Sequence, residues 1–103
     1  MDFAQIKKFI RKKDYLFSEH ADEERVEDQL TAENIEEAIL SGKVIEERLD
    51  DPRGESHLIA GKTEERKLIH VVIGIRFGRP VIVTVYIPIA QKWSRGTIRK
   101  RKE

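Results

Sequence analysis

The apolar residues of this chain change their spacing once, at Gly42, and that change bounds the folds open to it. Before Gly42 they recur every three or four positions, as along one face of a helix; beyond it they alternate, as on a strand. Asp2 and Gln5 carry the signature of a capping box, and Phe3, Ile6, Phe9 and Ile10 follow at helical spacing, which predicts a helix over residues 3–13. Tyr15, Leu16 and Phe17 read as a short extended segment, after which Ser18 can cap a weakly amphipathic, acidic helix over 19–29. Thr31 can cap the next helix, where Ile35, Ala38 and Ile39 form an i, i+3, i+4 stripe and Gly42 stands where a left-handed C-cap belongs.

Past Gly42, strands are predicted over 44–49, 57–63, 67–77 and 81–87, with Asp50-Asp51-Pro52-Arg53-Gly54 as a turn. Gly78-Arg79-Pro80 would join the last two strands into a hairpin. Alternation places Ile69, Val71, Ile73, Ile75 and Phe77 on one face of that hairpin and Leu68, His70, Val72, Gly74 and Arg76 on the other. In the last strand, Val81, Val83, Val85 and Ile87 form one apolar set, opposite Ile82, Thr84 and Tyr86. The fold class expected is therefore α+β: N-terminal helices packed on one face of a C-terminal four-stranded antiparallel sheet, with a shallow polar site on the other face. Residues 1–93 make a single domain, and 94–103 have the composition of a mobile basic tail, with Trp93 packing back on the domain.

Composition narrows the class further. A chain of 103 residues that is 39% hydrophobic can fill one modest core but not two. It has no cysteine, so neither a disulfide framework nor a thiolate metal site can form. No apolar run approaches the roughly 20 residues of a membrane-spanning helix, and the first residues are charged and helical where a leader would be apolar. A cytoplasmic protein away from membranes is expected. The net charge is only +1, but its distribution is uneven: +3 over residues 1–17, −10 over 18–56, +3 over 57–91 and +5 over 92–103. Basic ends that bracket an acidic middle give a polarised field, one side of which attracts polyanions.

The histidines are His20, His57 and His70, without an HxxxH pair, so the metal reading has only carboxylates such as Glu23, Glu24 and Glu46 to draw on. No metal and no cofactor are expected. No serine lies in a nucleophile elbow, and the glycines occur singly in turns and strands, which sets aside a phosphate-cradling loop. General acid–base chemistry remains. His70 and Tyr86 can be neighbours on adjacent strands, Arg48 and Arg76 can face the same way, and His20 lies in the first turn of a helix, whose dipole favours neutral imidazole. Arg95, Arg99, Lys100, Arg101 and Lys102 could neutralise phosphates. Each has a plainer explanation: a histidine on a half-buried strand is commonly a hydrogen-bonded packing residue, and a terminal basic run is commonly a solvated or partner-docking segment.

Several strings, in order, look familiar: Ser18-Glu19-His20-Ala21, Ile39-Leu40-Ser41-Gly42-Lys43-Val44-Ile45-Glu46, Leu58-Ile59-Ala60-Gly61, Ile69-His70-Val71-Val72, Thr84-Val85-Tyr86-Ile87-Pro88 and Lys92-Trp93. Together they resemble the prokaryotic family known as domain of unknown function 4258. Members of that family look similar to the RelE-like and BrnT-like toxins of toxin–antitoxin pairs, metal-independent ribonucleases with helices on a curved antiparallel sheet. The resemblance implies a RelE- or barnase-like fold and a characteristic surface marked by His20, Glu46, His70, Tyr86, Lys92 and Trp93. It departs from the family at Asp22-Glu23-Glu24, where acidic residues follow His20-Ala21 in place of an arginine. The function expected is a toxin-like endoribonuclease in which His70 or Tyr86 is the base, Arg48 or Arg76 stabilises phosphate charge and His20 protonates the leaving group, with RNA and a cognate antitoxin as partners. The alternative is a non-catalytic module that binds nucleic acid or a partner through the same fold.

Overall fold

The structure, a computed structural model, describes residues 1–88 and, as backbone only, residues 93–94 and 98–99. Three helices form where hydroxyl or carboxylate side chains cap them. The Asp2 carboxylate accepts from the Gln5 amide at 2.8 Å and opens α1 (Phe3–Arg11); Ser18 caps α2 (Glu19–Glu27); Thr31 and Asn34 exchange hydrogen bonds at the start of α3 (Ala32–Ser41). Five strands form the main sheet: β1 (Leu16–Phe17), β2 (Lys43–Arg48), β3 (Ser56–Lys62), β4 (Leu68–Arg76) and β5 (Arg79–Tyr86), in the order β1-β5-β4-β3-β2. None of the described helices is long and apolar enough to cross a membrane.

The helices cover one face of the sheet. Ile6 and Ile10 of α1, Ala21 of α2, and Ile35, Ala38 and Ile39 of α3 meet Ile59, Ile69, Val71, Ile73, Ile82 and Val85, all essentially inaccessible to solvent. Each isoleucine so buried contributes roughly 1.5–3 kcal/mol, and the alternating pattern of β4 aims those side chains at the helices. A polar clasp holds the chain between α1 and β1 to α3: Lys13 Nζ and Tyr15 Oη each donate to the Glu36 carboxylate at 2.6 Å. Burial, reinforced by that hydrogen bond, pushes the Tyr15 phenol well above its ordinary pKa.

Four sequence expectations need correction. The sheet has five strands and is mixed, because Leu16 and Phe17 pair in parallel with Val81 and Ile82 along the outer edge of β5; two residues are too few to show a period. Gly42 ends α3 with extended backbone, φ −91° and ψ −170°. The left-handed caps fall instead at Lys13 and Gln29, both with φ 58°, where the Asp14 and Leu30 amides bond back to the Phe9 and Arg25 carbonyls. Gly42 is needed for closeness: a Cβ there would lie 2.5 Å from the carbonyl oxygens of Ala38 and Ala60. Third, the β4–β5 connection is two residues long, Phe77 and Gly78, and Arg79 and Pro80 already pair with Arg76 and Ile75. Fourth, the apolar set in β5 is split by a bulge, so that Ile82 and Val85 face the helices while Val81 and Val83 turn away from them.

Beyond residue 88, Trp93–Ser94 (β6) and Ile98–Arg99 (β7) pair as a small antiparallel ribbon within the stretch whose composition suggests a tail. Lys92, Arg95, Lys100, Arg101 and Lys102, and the side chains of Trp93 and Arg99, lie outside the described residues.

Candidate functional site

The face of the sheet turned away from the helices carries a groove of about 360 Å³, and cross-strand register assigns its floor. Residues directly opposite each other on neighbouring strands share a face. One row across the sheet is Arg48, Ser56, Gly74 and Val81; the next is Glu46, Leu58, Val72 and Thr84; the third contains Ala60, His70 and Tyr86. Arginines thus mark one end of the groove and Tyr86 the other.

The bulge decides which residue meets His70. From Arg76↔Arg79 to Ile73↔Ile82 the hairpin keeps the register set by its two-residue turn, which would carry His70 opposite Val85. Val83 is the extra residue between the pairs Ile73↔Ile82 and Val72↔Thr84, and it slips β5 by one position, so that His70 faces Tyr86. A second bulge, at Ile45 between the pairs Val44↔Ile59 and Glu46↔Leu58, brings Glu46 and Arg48 onto the groove face.

His70 Nδ1 lies 3.1 Å from Tyr86 Oη, with the rings edge to face at a centroid separation of 5.1 Å. The imidazole is completely buried, whereas Tyr86 is half-buried and lines the groove. With Nδ1 unprotonated, the phenol donates to it, and the pair can relay a proton between the groove and the imidazole.

At the other end, Arg76 does not extend into solvent. Its guanidinium folds back across its own strand: Nη1 donates to the Ile75 carbonyl at 3.1 Å and lies where a Cβ on Gly74 or Gly54 would come within 3.0 or 2.9 Å of it. The two glycines make the bed in which it lies. Gly54, at φ +107°, closes a turn braced by Asp51, whose carboxylate accepts from the Arg53 amide at 2.8 Å and from the Arg53 guanidinium at 3.3 and 3.4 Å. These bonds hold the Asp51 carboxyl below the usual carboxylate range. Among the described residues, neither Arg48 nor Arg76 lies within ion-pair distance of a carboxylate, unlike Arg53, Arg25 and Arg79. The two guanidinium groups share the groove lining with the Glu46 and Asp51 carboxylates and, over the open sheet face, can donate to phosphate oxygens.

The family model described as domain of unknown function, DUF4258, matches residues 17–87. The chain belongs to this family. No curated protein and no solved structure matches it. The DUF4258 segment contains β2 to β5, the second residue of β1, both bulges and every groove residue, while α1 and the basic run after Lys92 fall outside it. The groove is therefore a property of the DUF4258 portion itself.

Of the residues singled out in the sequence, the structure brings His70 and Tyr86 into contact and sets Arg48 and Arg76 in the same groove. The two groups are apart: Arg76 lies over Gly74, four residues along β4 from His70, or roughly 13 Å. His20 is not among the groove's lining residues; it sits exposed on α2, 3.4 Å from Glu24 Oε2, and Glu24 in turn accepts from the Val85 amide. Among the described residues no three histidine or carboxylate side chains converge as a metal site. The sequence reading missed Asp51, Arg53 and the two cradling glycines; the dense Asp-Pro-Arg-Gly turn and the lone glycine inside a strand were the signals that could have shown them.

Proposed function

We propose that this domain is a toxin-like, metal-independent endoribonuclease of a toxin–antitoxin pair, on a RelE- or barnase-like scaffold. The observation that carries the reading is the hydrogen-bonded His70–Tyr86 pair at one end of a groove whose other end holds Arg48 and Arg76. RNA lies along the groove, with the arginines neutralising phosphates and the phenol of Tyr86 reaching a ribose 2′-hydroxyl. Tyr86 Oη takes the 2′-proton as its own proton passes to His70 Nδ1; the 2′-oxygen bonds to phosphorus, and the 5′-oxygen leaves and is protonated by water. The products are a 2′,3′-cyclic phosphate and a 5′-hydroxyl. The roughly 13 Å between the two ends fits a strand held at more than one phosphate. The leaving-group role considered for His20 finds no support in its position on α2. A cognate antitoxin would silence such an enzyme by occupying the groove.

Purified wild-type protein in EDTA should convert mixed cellular RNA to fragments with cyclic phosphate ends, and His70→Ala and Tyr86→Phe should each slow this by roughly 10²- to 10⁴-fold. Undiminished cleavage by His70→Ala would remove the pair from the mechanism.

The complete burial of His70 favours a second reading, a binding module without turnover, since a buried imidazole bonded to a tyrosine serves equally well as packing. Salt-sensitive RNA binding without cleavage, retained in His70→Ala, would identify it.

A further inference from the structure

The tip of the β4–β5 hairpin is built against its own turn chemistry. Phe77 and Gly78 are the two central residues of a two-residue connection, with φ 53° and 76°. Positive φ at both positions is the type I′ geometry, for which Asn-Gly or Asp-Gly is strongly preferred and in which a bulky aromatic is disfavoured. The Phe77 side chain is also fully exposed, so the fold gains no burial from it. Both the backbone and the hydration of the ring oppose phenylalanine here.

Its setting is basic. Phe77 follows Arg76, which lines the arginine end of the groove, and precedes by two residues Arg79, which pairs in register with Arg76 and holds Asp14 at 3.2 Å. β4 and β5 supply Val72, Gly74, Val83 and Tyr86 to the groove lining, so an occupant that runs past Arg76 reaches the hairpin tip next. An exposed ring next along the hairpin from a groove lined by Arg48, Arg53 and Arg76 is complementary to a single strand, which offers phosphates to the arginines and base faces to the ring.

We propose that Phe77 is a stacking platform for a base of single-stranded RNA lying in the groove. This rests on the nucleic-acid reading above and adds where the strand leaves the site. Stacking of this kind tolerates any base, so it supplies affinity and direction but little sequence preference.

The test uses a short, fluorescently labelled 2′-O-methyl RNA strand, which lacks the 2′-hydroxyl and so is not cleaved by the proposed route. Its binding is measured with the full chain as wild type, Phe77→Asn, Phe77→Trp and Phe77→Leu, alongside thermal melting of each. Phe77→Asn should raise the melting temperature, because asparagine suits the turn, and weaken binding by about 5- to 100-fold. Phe77→Trp should bind at least as tightly as wild type, and Phe77→Leu as weakly as Phe77→Asn. Unchanged affinity in Phe77→Asn, with wild type binding, overturns the platform and leaves the groove reading standing. No binding by wild type at low salt overturns both. A dimer lost in Phe77→Asn while oligonucleotide affinity holds would assign the ring to a second copy of the chain and overturn the proposal.

Discussion

Gly61 and Gly74 each interrupt a strand otherwise built of larger residues, and they face opposite sides of the sheet. Gly61 pairs with Ile69 on the helix side, and a Cβ there would come 1.8 Å from the Ala38 carbonyl oxygen: the backbone of α3 occupies that space. Gly74 pairs with Val81 on the groove side, and its absent Cβ leaves room for the end of the Arg76 side chain. One glycine admits a helix that cannot yield, and the other admits a flexible side chain that can. The same residue type thus serves the fold on one face and the site on the other, and only the neighbour it accommodates tells the two apart.

The contrast is most open to attack at Gly61. Gly61→Ala should cost at least about 3 kcal/mol, more than ordinary overpacking, because α3 must move off the sheet as a body. Urea denaturation would measure it, and an unchanged midpoint would mean that the helix does not sit as close as described. Acid should also act on the helix face first. There the hydrogen bond from His57 at 2.9 Å, and after it the chain's terminal ammonium at 3.1 Å, hold the Glu55 carboxyl below the ordinary glutamate value of 4.5. A carboxyl depressed in the folded state stabilises fully above its unfolded value, and the contribution is lost as pH falls from about 4.5 through the lower folded value. Glu55→Gln should therefore lose roughly 1–3 kcal/mol at pH 7 and show a flatter decline below pH 4.5 than wild type. Parallel acid limbs for the two proteins would contradict it. Asp51 on the groove side is depressed in the same direction by Arg53, but on an exposed turn where solvent screens the pair. Gly74→Ala should change stability least, by under about 1 kcal/mol, yet lower the proposed RNA cleavage roughly 10- to 100-fold by lifting Arg76 from its bed. Full activity in that variant would show that the cradle does not position the guanidinium.

How much of this was legible in the sequence depends on whether the signal was periodic. The α3 stripe and the alternation of β4 were plain, since both repeat over many residues, and from them followed the α+β class and the sidedness of His70. Tyr15-Leu16-Phe17 read as extended, but the parallel pairing of β1 was hidden, because two residues carry no period and the partner lies 65 positions away. The bulges were invisible for a different reason: Val83 is apolar on either face, so nothing in the residue announces that the strand slips there. That slip nonetheless sets Tyr86 opposite His70, a neighbourhood expected from strand order but not derivable from the turn register alone. Gly42 misled because a glycine after a helix usually marks a left-handed cap, and its second use, close backbone approach, depends on Ala38 and Ala60 far from it in one direction of the chain.

The outer edge of β5 is occupied from Val81 to Val85. Leu16 and Phe17 pair with it, the Ser18 amide and hydroxyl bond to the Ile82 and Val83 carbonyls, and Glu24 takes the Val85 amide. The opposite edge of the five-stranded sheet, β2, is spaced with Lys43, Glu46, Glu47 and Arg48. A sheet open at both edges can grow by strand addition without end, whereas one open at a single edge can join only one neighbour. On the β5 side this leaves only the two-residue β1 as an edge, too short to template a neighbouring strand, so one dipeptide, one serine and one glutamate withhold that side of the sheet from strand addition.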